Sequence, residues 1–101
     1  MQSVLVMANE ENLRLGYSAV LSAKGYTVIT EAEHAINIFA VILDIGGNIE
    51  EHEQALAGMG LTKALFIVPK HWIGRIPAVG AEQYLLHKPV TAGAILKLLR
   101  G

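Results

Sequence analysis

Three observations predict a doubly wound α/β domain built on a parallel sheet. Short apolar runs at 4–8, 36–45 and 64–68 alternate with stretches of helical spacing. The runs are apolar almost throughout, as strands covered on both faces are. With 101 residues, 52% of them hydrophobic and 17% charged, the chain has material for one core and should bury most of its strands.

The elements follow in order. Val4 to Ala8 reads as a strand, and Leu13, Tyr17, Val20 and Leu21 then share one face of a helix. Asn9 is placed to cap that helix, Glu10 and Glu11 suit its positive end, and Gly25 stands where a terminating glycine belongs. Tyr26 to Thr30 is the second strand, and the third lies within Ile36 to Ile45, which leaves only one or two helical turns between them. Asn48 with Glu51 resembles a capping box for a helix reaching Gly58 or Gly60. Ala64 to Val68 forms the fourth strand, closed by Pro69, and Lys70 to Ala78 is irregular or briefly helical. Gln83 to Leu86 makes a fifth strand before Pro89, and Thr91 caps a last helix with Ile95, Leu98 and Leu99 on its apolar stripe.

Composition excludes several functions. A net charge of −1, without a basic run, leaves no footprint for nucleic acid or an anionic membrane. With no cysteine there is no disulfide, thiolate nucleophile or cysteine-bound zinc. The start of the chain shows no basic segment with a long apolar run, so a cytoplasmic setting is expected. His34, His52, His71 and His87 have no ligand spacing, and Glu50-Glu51-His52-Glu53 reads as a solvated helix start, so no metal site is expected from them.

In an open parallel sheet the chemistry gathers beyond the carboxyl ends of the strands. Here those ends are Ala8-Asn9, Asp44, Val68 and Lys88-Pro89, which sets an Asp at one strand end and a Lys at another.

Two segments carry a resemblance over nearly the whole chain. Val4 to Val28 keeps an ungapped spacing to Gly25-Tyr26-Thr27-Val28, and Val79-Gly80-Ala81-Glu82-Gln83-Tyr84-Leu85-Leu86-His87-Lys88-Pro89-Val90-Thr91 is similar to the pattern Gly-Ala-x-x-Tyr-Leu-x-Lys-Pro before a last helix. With Asp44, these residues make the chain resemble a response-regulator receiver domain of two-component signalling. The resemblance implies a single domain over 1–101, with a flavodoxin-like five-stranded sheet of order 2-1-3-4-5, from which this chain departs in a shortened second helix between Gly25 and Asp44 and a shortened fourth helix between Pro69 and Pro77. It also implies a chemistry in which a histidine kinase phosphorylates the Asp ending strand three. In that family an acidic pair after strand one joins this Asp in holding Mg²⁺, and a strand-four hydroxyl and the lysine stabilise the phosphoryl group.

Carried over by position, Asp44 matches the phosphoacceptor and Lys88 the lysine. The acidic pair becomes Ala8 and Asn9, and the hydroxyl residue becomes Val68. Mg²⁺ demands hard oxygen ligands in near-octahedral geometry, so one carboxylate makes a weak site, and phosphoryl transfer without charge compensation is slow. The expectation is a degenerate pseudo-receiver, not an enzyme and without a cofactor, that signals by contact with a protein such as a kinase or output domain, or as a homodimer. The alternative is a working receiver, phosphorylated at Asp44 with Mg²⁺.

Two further expectations concern strand five. One extra residue between Ala81 and Lys88 calls for a bulge, or else Lys88 changes face, and either Tyr84 or Leu85 takes the place of the family's switch aromatic. Trp72, Tyr84, Leu85 and His87 form a candidate interaction face, although Trp72 has a second reading as a cover for the core beneath an abbreviated helix.

Overall fold

A computed structural model describes residues 2–101. Its strands are β1 (Ser3–Ala8), β2 (Thr27–Ile29), β3 (Ile38–Asp44), β4 (Lys63–Val68) and β5 (Glu82–His87), and its helices α1 (Glu11–Ala23), α2 (Glu53–Ala57) and α3 (Ala92–Arg100). All neighbouring strands are parallel and their order is β2-β1-β3-β4-β5. The expected sheet is therefore present in the expected order.

Alternation along the central strands divides the core in two. Leu5, Val41, Leu43, Ala64, Phe66 and Val68 face α2 and its flanking loops, where Ile49, Leu56, Leu61 and Val79 meet them. Val4, Val6, Ile42, Leu65 and Ile67 face α1 and α3, against Leu21, Ile95, Leu96 and Leu99. Both sides of β3 and β4 are covered, which is why these strands carry unbroken apolar runs.

Helix ends show where local chemistry prevailed and where it did not. Gly25, at φ 87°, ends α1 in a Schellman turn, with Tyr26 N–H donating to Leu21 O and Gly25 N–H to Ser22 O. Thr91 caps α3 by accepting from Ala94 N–H at 3.1 Å. Asn9 does not cap α1: Glu10 holds the cap position, without a side-chain bond, and the helix starts at Glu11. The side-chain amide of Asn9 instead lies beside Gly46, in the loop after β3. The Asn48–Glu51 capping box is also absent, because Ile49 leads into a 3₁₀ turn at Glu50–His52 that precedes the five-residue α2.

The second crossover contains only a 3₁₀ turn, Ala32–His34, as the short spacing requires. The expected shortened fourth helix does not form at all, and residues 70–81 run as an irregular strap between β4 and β5. Pro69, Gly74 and Pro77 leave at most four residues between breakers, so nothing longer than a single turn can form there. Gln83 of β5 holds the strap by accepting from Val79 N–H at 2.8 Å and donating to Pro77 O at 2.7 Å. His87 Nε2 lies 3.2 Å from Trp72 O.

Trp72 closes the core in place of the absent helix. It packs against the α2-side cluster. Its ring passes so close to Gly47 and Gly74 that a Cβ at Gly47 would lie 2.6 Å from the indole nitrogen, and one at Gly74 would overlap the ring.

Lys63 opens β4 and is only 5% exposed. Its ammonium donates to Leu98 O at 2.5 Å and Leu99 O at 3.4 Å, with Glu82 at 3.9 Å. A cation thus closes the last turn of α3, where the helix dipole favours it. Replacing Lys63 by Met leaves those carbonyls without their donor and should lower stability by about 1–2 kcal/mol, read from the midpoint of urea unfolding at unchanged slope.

Candidate functional site

β5 pairs with β4 in unbroken register from Lys63↔Glu82 to Val68↔His87, and Lys88 N–H continues the ladder to Val68 O at 2.9 Å. No bulge interrupts it, contrary to the expectation from the extra residue. Tyr84 and Leu86 pack toward α1 and α3. Two residues further on, Lys88 keeps their parity and emerges on the same side of the sheet. The Lys88–Pro89 bond that follows is cis.

Asp44 has the same facing, two residues after Ile42 in β3. Lys88 Nζ lies 3.0 Å from Asp44 Oδ1, so the two matched positions do meet. The pair is asymmetric: the Lys88 side chain is 38% exposed and that of Asp44 only 1%. Oδ1 is compensated by the ammonium charge, yet no donor is aligned on it as a hydrogen bond.

A third group completes the cluster. The Tyr17 hydroxyl, on α1, donates to Asp44 Oδ2 at 2.6 Å. Burial, the hydrogen bond to Asp44 and the charge of that carboxylate, in that order, push the Tyr17 hydroxyl far above the ordinary value of 10.0. Sequence reasoning placed Tyr17 only on the apolar face of its helix. The signal that could have found its role is its type: a buried tyrosine needs a partner for its hydroxyl, and the end of β3 lies within reach of the second turn of α1.

The remaining matched positions do not join the cluster. Ala8 sits opposite Asp44 in the β1–β3 ladder and offers only a methyl group. Asn9 contributes its backbone, donating N–H to Asp44 O at 3.2 Å, while its side chain is exposed and turned to Gly46. Val68 is fully buried in the α2-side core, on the face of the sheet away from Asp44. One buried carboxylate, already held by a lysine and a tyrosine, does not suit the all-oxygen shell that Mg²⁺ requires. No group of three His, Cys, Asp or Glu able to hold a metal ion occurs among the described residues.

The candidate interaction face is divided by the pleat. Leu85 and His87 stand on the strap side of β5, whereas Tyr84 packs with the α1 and α3 cluster and so lies on the other face. Trp72 lies on the strap side but is committed to the core there. With the strand unbroken, Leu85 falls three residues before Lys88 and Tyr84 four. Leu85 is 39% exposed, and Ile73 at the tip of the strap is 95% exposed.

Comparison with solved structures agrees with this architecture. The chain superposes on the chemotaxis protein CheY4 of Vibrio cholerae with a TM-score of 0.72 and 21% identity, over 99% of this chain and 97% of that one. It superposes on a response regulator receiver domain protein from Clostridium thermocellum with a TM-score of 0.69 and 16% identity, over 99% and 92%. No protein-family model and no curated protein matches the chain. No helix among the described residues is long and apolar enough to cross a membrane.

A pH titration tests the Tyr17–Asp44 bond. The fold holds the neutral phenol, while an unfolded tyrosine ionises near 10.0. The contribution of Tyr17 to stability is therefore whole below pH 10.0 and is lost as the pH rises from there through its raised folded value. Of the three tyrosines, Tyr17 should be the last to show phenolate absorbance, in step with unfolding, and that phase should vanish in Tyr17→Phe. Measured near neutral pH, Tyr17→Phe should cost about 1–3 kcal/mol, because it leaves Asp44 Oδ2 buried without a donor.

Proposed function

We propose that this chain is a pseudo-receiver: a domain with the receiver fold that signals by protein–protein contact and not by Mg²⁺-dependent phosphorylation of an aspartate. One observation carries the reading. The carboxylate at the phosphoacceptor position is 1% exposed, with one oxygen on Lys88 and the other on Tyr17. An aspartate attacks a phosphoryl donor through a carboxylate oxygen, with cations to neutralise the transferred group. Here the carboxylate is shielded and its charge is already spent on holding the domain together.

The residues at the other matched positions support the same reading. Ala8, Asn9 and Val68 supply neither metal ligand nor hydroxyl, and each is explained by packing or backbone bonding. Output through contact is supported by Ile73 and Leu85, two exposed apolar residues on the strap side of β5. The partner would be a kinase, an output domain or a second copy, in a signalling system of the two-component kind and in the cytoplasm.

The Asp44–Lys88 pair favours a second reading, since it retains the carboxylate and cation that phosphorylation uses. That reading requires Tyr17 to leave Oδ2 before a donor can approach. Incubation with acetyl phosphate and Mg²⁺, followed by intact-mass measurement, separates the two. No phosphate adduct is expected on the native chain. An adduct that disappears in Asp44→Asn would falsify the pseudo-receiver assignment.

A further inference from the structure

We infer that the groove between α1 and α3 is a binding site for a small amphipathic carboxylate, a property that goes beyond the proposed contact function. Leu13 and Val20 of α1 form one wall of the groove and Val90 and Ile95 the other, with the fully buried Ile42 of β3 beneath them. Its volume is about 250 Å³, just below the range of sites that take drug-sized molecules, so its occupant is short. Gly16 opens it: a Cβ built there meets nothing within 4 Å, so the space is left by a missing side chain in the middle of a helix.

The groove is not uniformly apolar at its mouth. Leu13, Tyr17 and Val90 also line an adjoining hollow whose other residues are Lys70, Lys88 and Pro89. Asp44 compensates Lys88, but Lys70 makes no ion pair among the described residues. Two cations and one anion leave one positive charge in excess beside an apolar slot. An aliphatic chain laid between Leu13 and Val20 on one side and Val90 and Ile95 on the other, with a carboxylate at Lys70 and Lys88, satisfies both features. An ammonium head would meet repulsion there, and a hydroxyl head would forgo the charge-assisted bond to Lys70.

The test is titration of the full chain with octanoate, octanol and octylamine, followed by calorimetry and by backbone amide shifts. Octanoate should bind saturably and move the amides of Leu13, Gly16, Tyr17 and Val20, with octanol weaker by about tenfold and octylamine not binding. Lys70→Gln should weaken octanoate by about tenfold. Gly16→Leu should fill the groove and abolish binding while the circular dichroism stays native. Equal binding of all three probes, no effect of either variant, shifts confined to other parts of the chain, or no binding of octanoate to the native chain would each overturn the proposal. So would a dimer that Gly16→Leu converts to monomer, since a second copy would then be the occupant. The readouts are heat and amide shifts, so this proposal can fail while the mass test on Asp44 succeeds, and the reverse.

Discussion

A buried carboxylate must be compensated, and the way Asp44 meets that demand ties together elements far apart in sequence. Its oxygens are held by Lys88, just beyond β5, and by Tyr17 of α1, while its own carbonyl takes the N–H of Asn9 at the end of β1. One residue thus fixes the upper edge of the sheet against the helix that packs on it. Removal of either side-chain partner leaves charge or a lone pair on a carboxylate only 1% exposed, and this is where such losses cost most.

The geometry that lets these groups meet comes from the pleat. Ile42 and Asp44, Tyr84 and Leu86, and finally Lys88 all share one side of the sheet because β3 and β5 run without interruption where they matter. The opposite parity sends Gln83, Leu85 and His87 to the strap side, where the first and last of them hold the chain that replaces a helix. The face that meets Asp44 and the face that holds the strap are therefore separated by a single residue along the same strand.

Much of this was legible in the residues. Unbroken apolar runs identified the central strands, Gly25 and Thr91 marked two helix ends by local chemistry, and Asp44 and Lys88 were readable as facing strand ends. What escaped depends on long-range contacts. Nothing near Tyr17 in sequence says that its hydroxyl meets a carboxylate 27 residues on, and nothing near Lys63 says that it closes a helix 35 residues away. The caps assigned to Asn9 and Asn48 failed for the converse reason: a cap motif is a local preference, and the loops there are shaped by their neighbours across the sheet. The expected bulge is absent because β5 pairs with β4 without a register shift from Lys63↔Glu82 to Val68↔His87, so the residue beyond the pattern is taken up as an ordinary position of the strand.

The clamp on the strap adds a safeguard to strand pairing. If β5 slipped by one residue, Tyr84 and Leu86 would leave their core, and Gln83 and His87 would turn from the strap in the same movement. Misalignment would then strip the cover from the sheet as well as the packing beneath it, with no partly correct arrangement in between. A chain carrying one residue more than its pattern at this strand has most to lose from a slip, and the two polar side chains act there as a proofreading device for register.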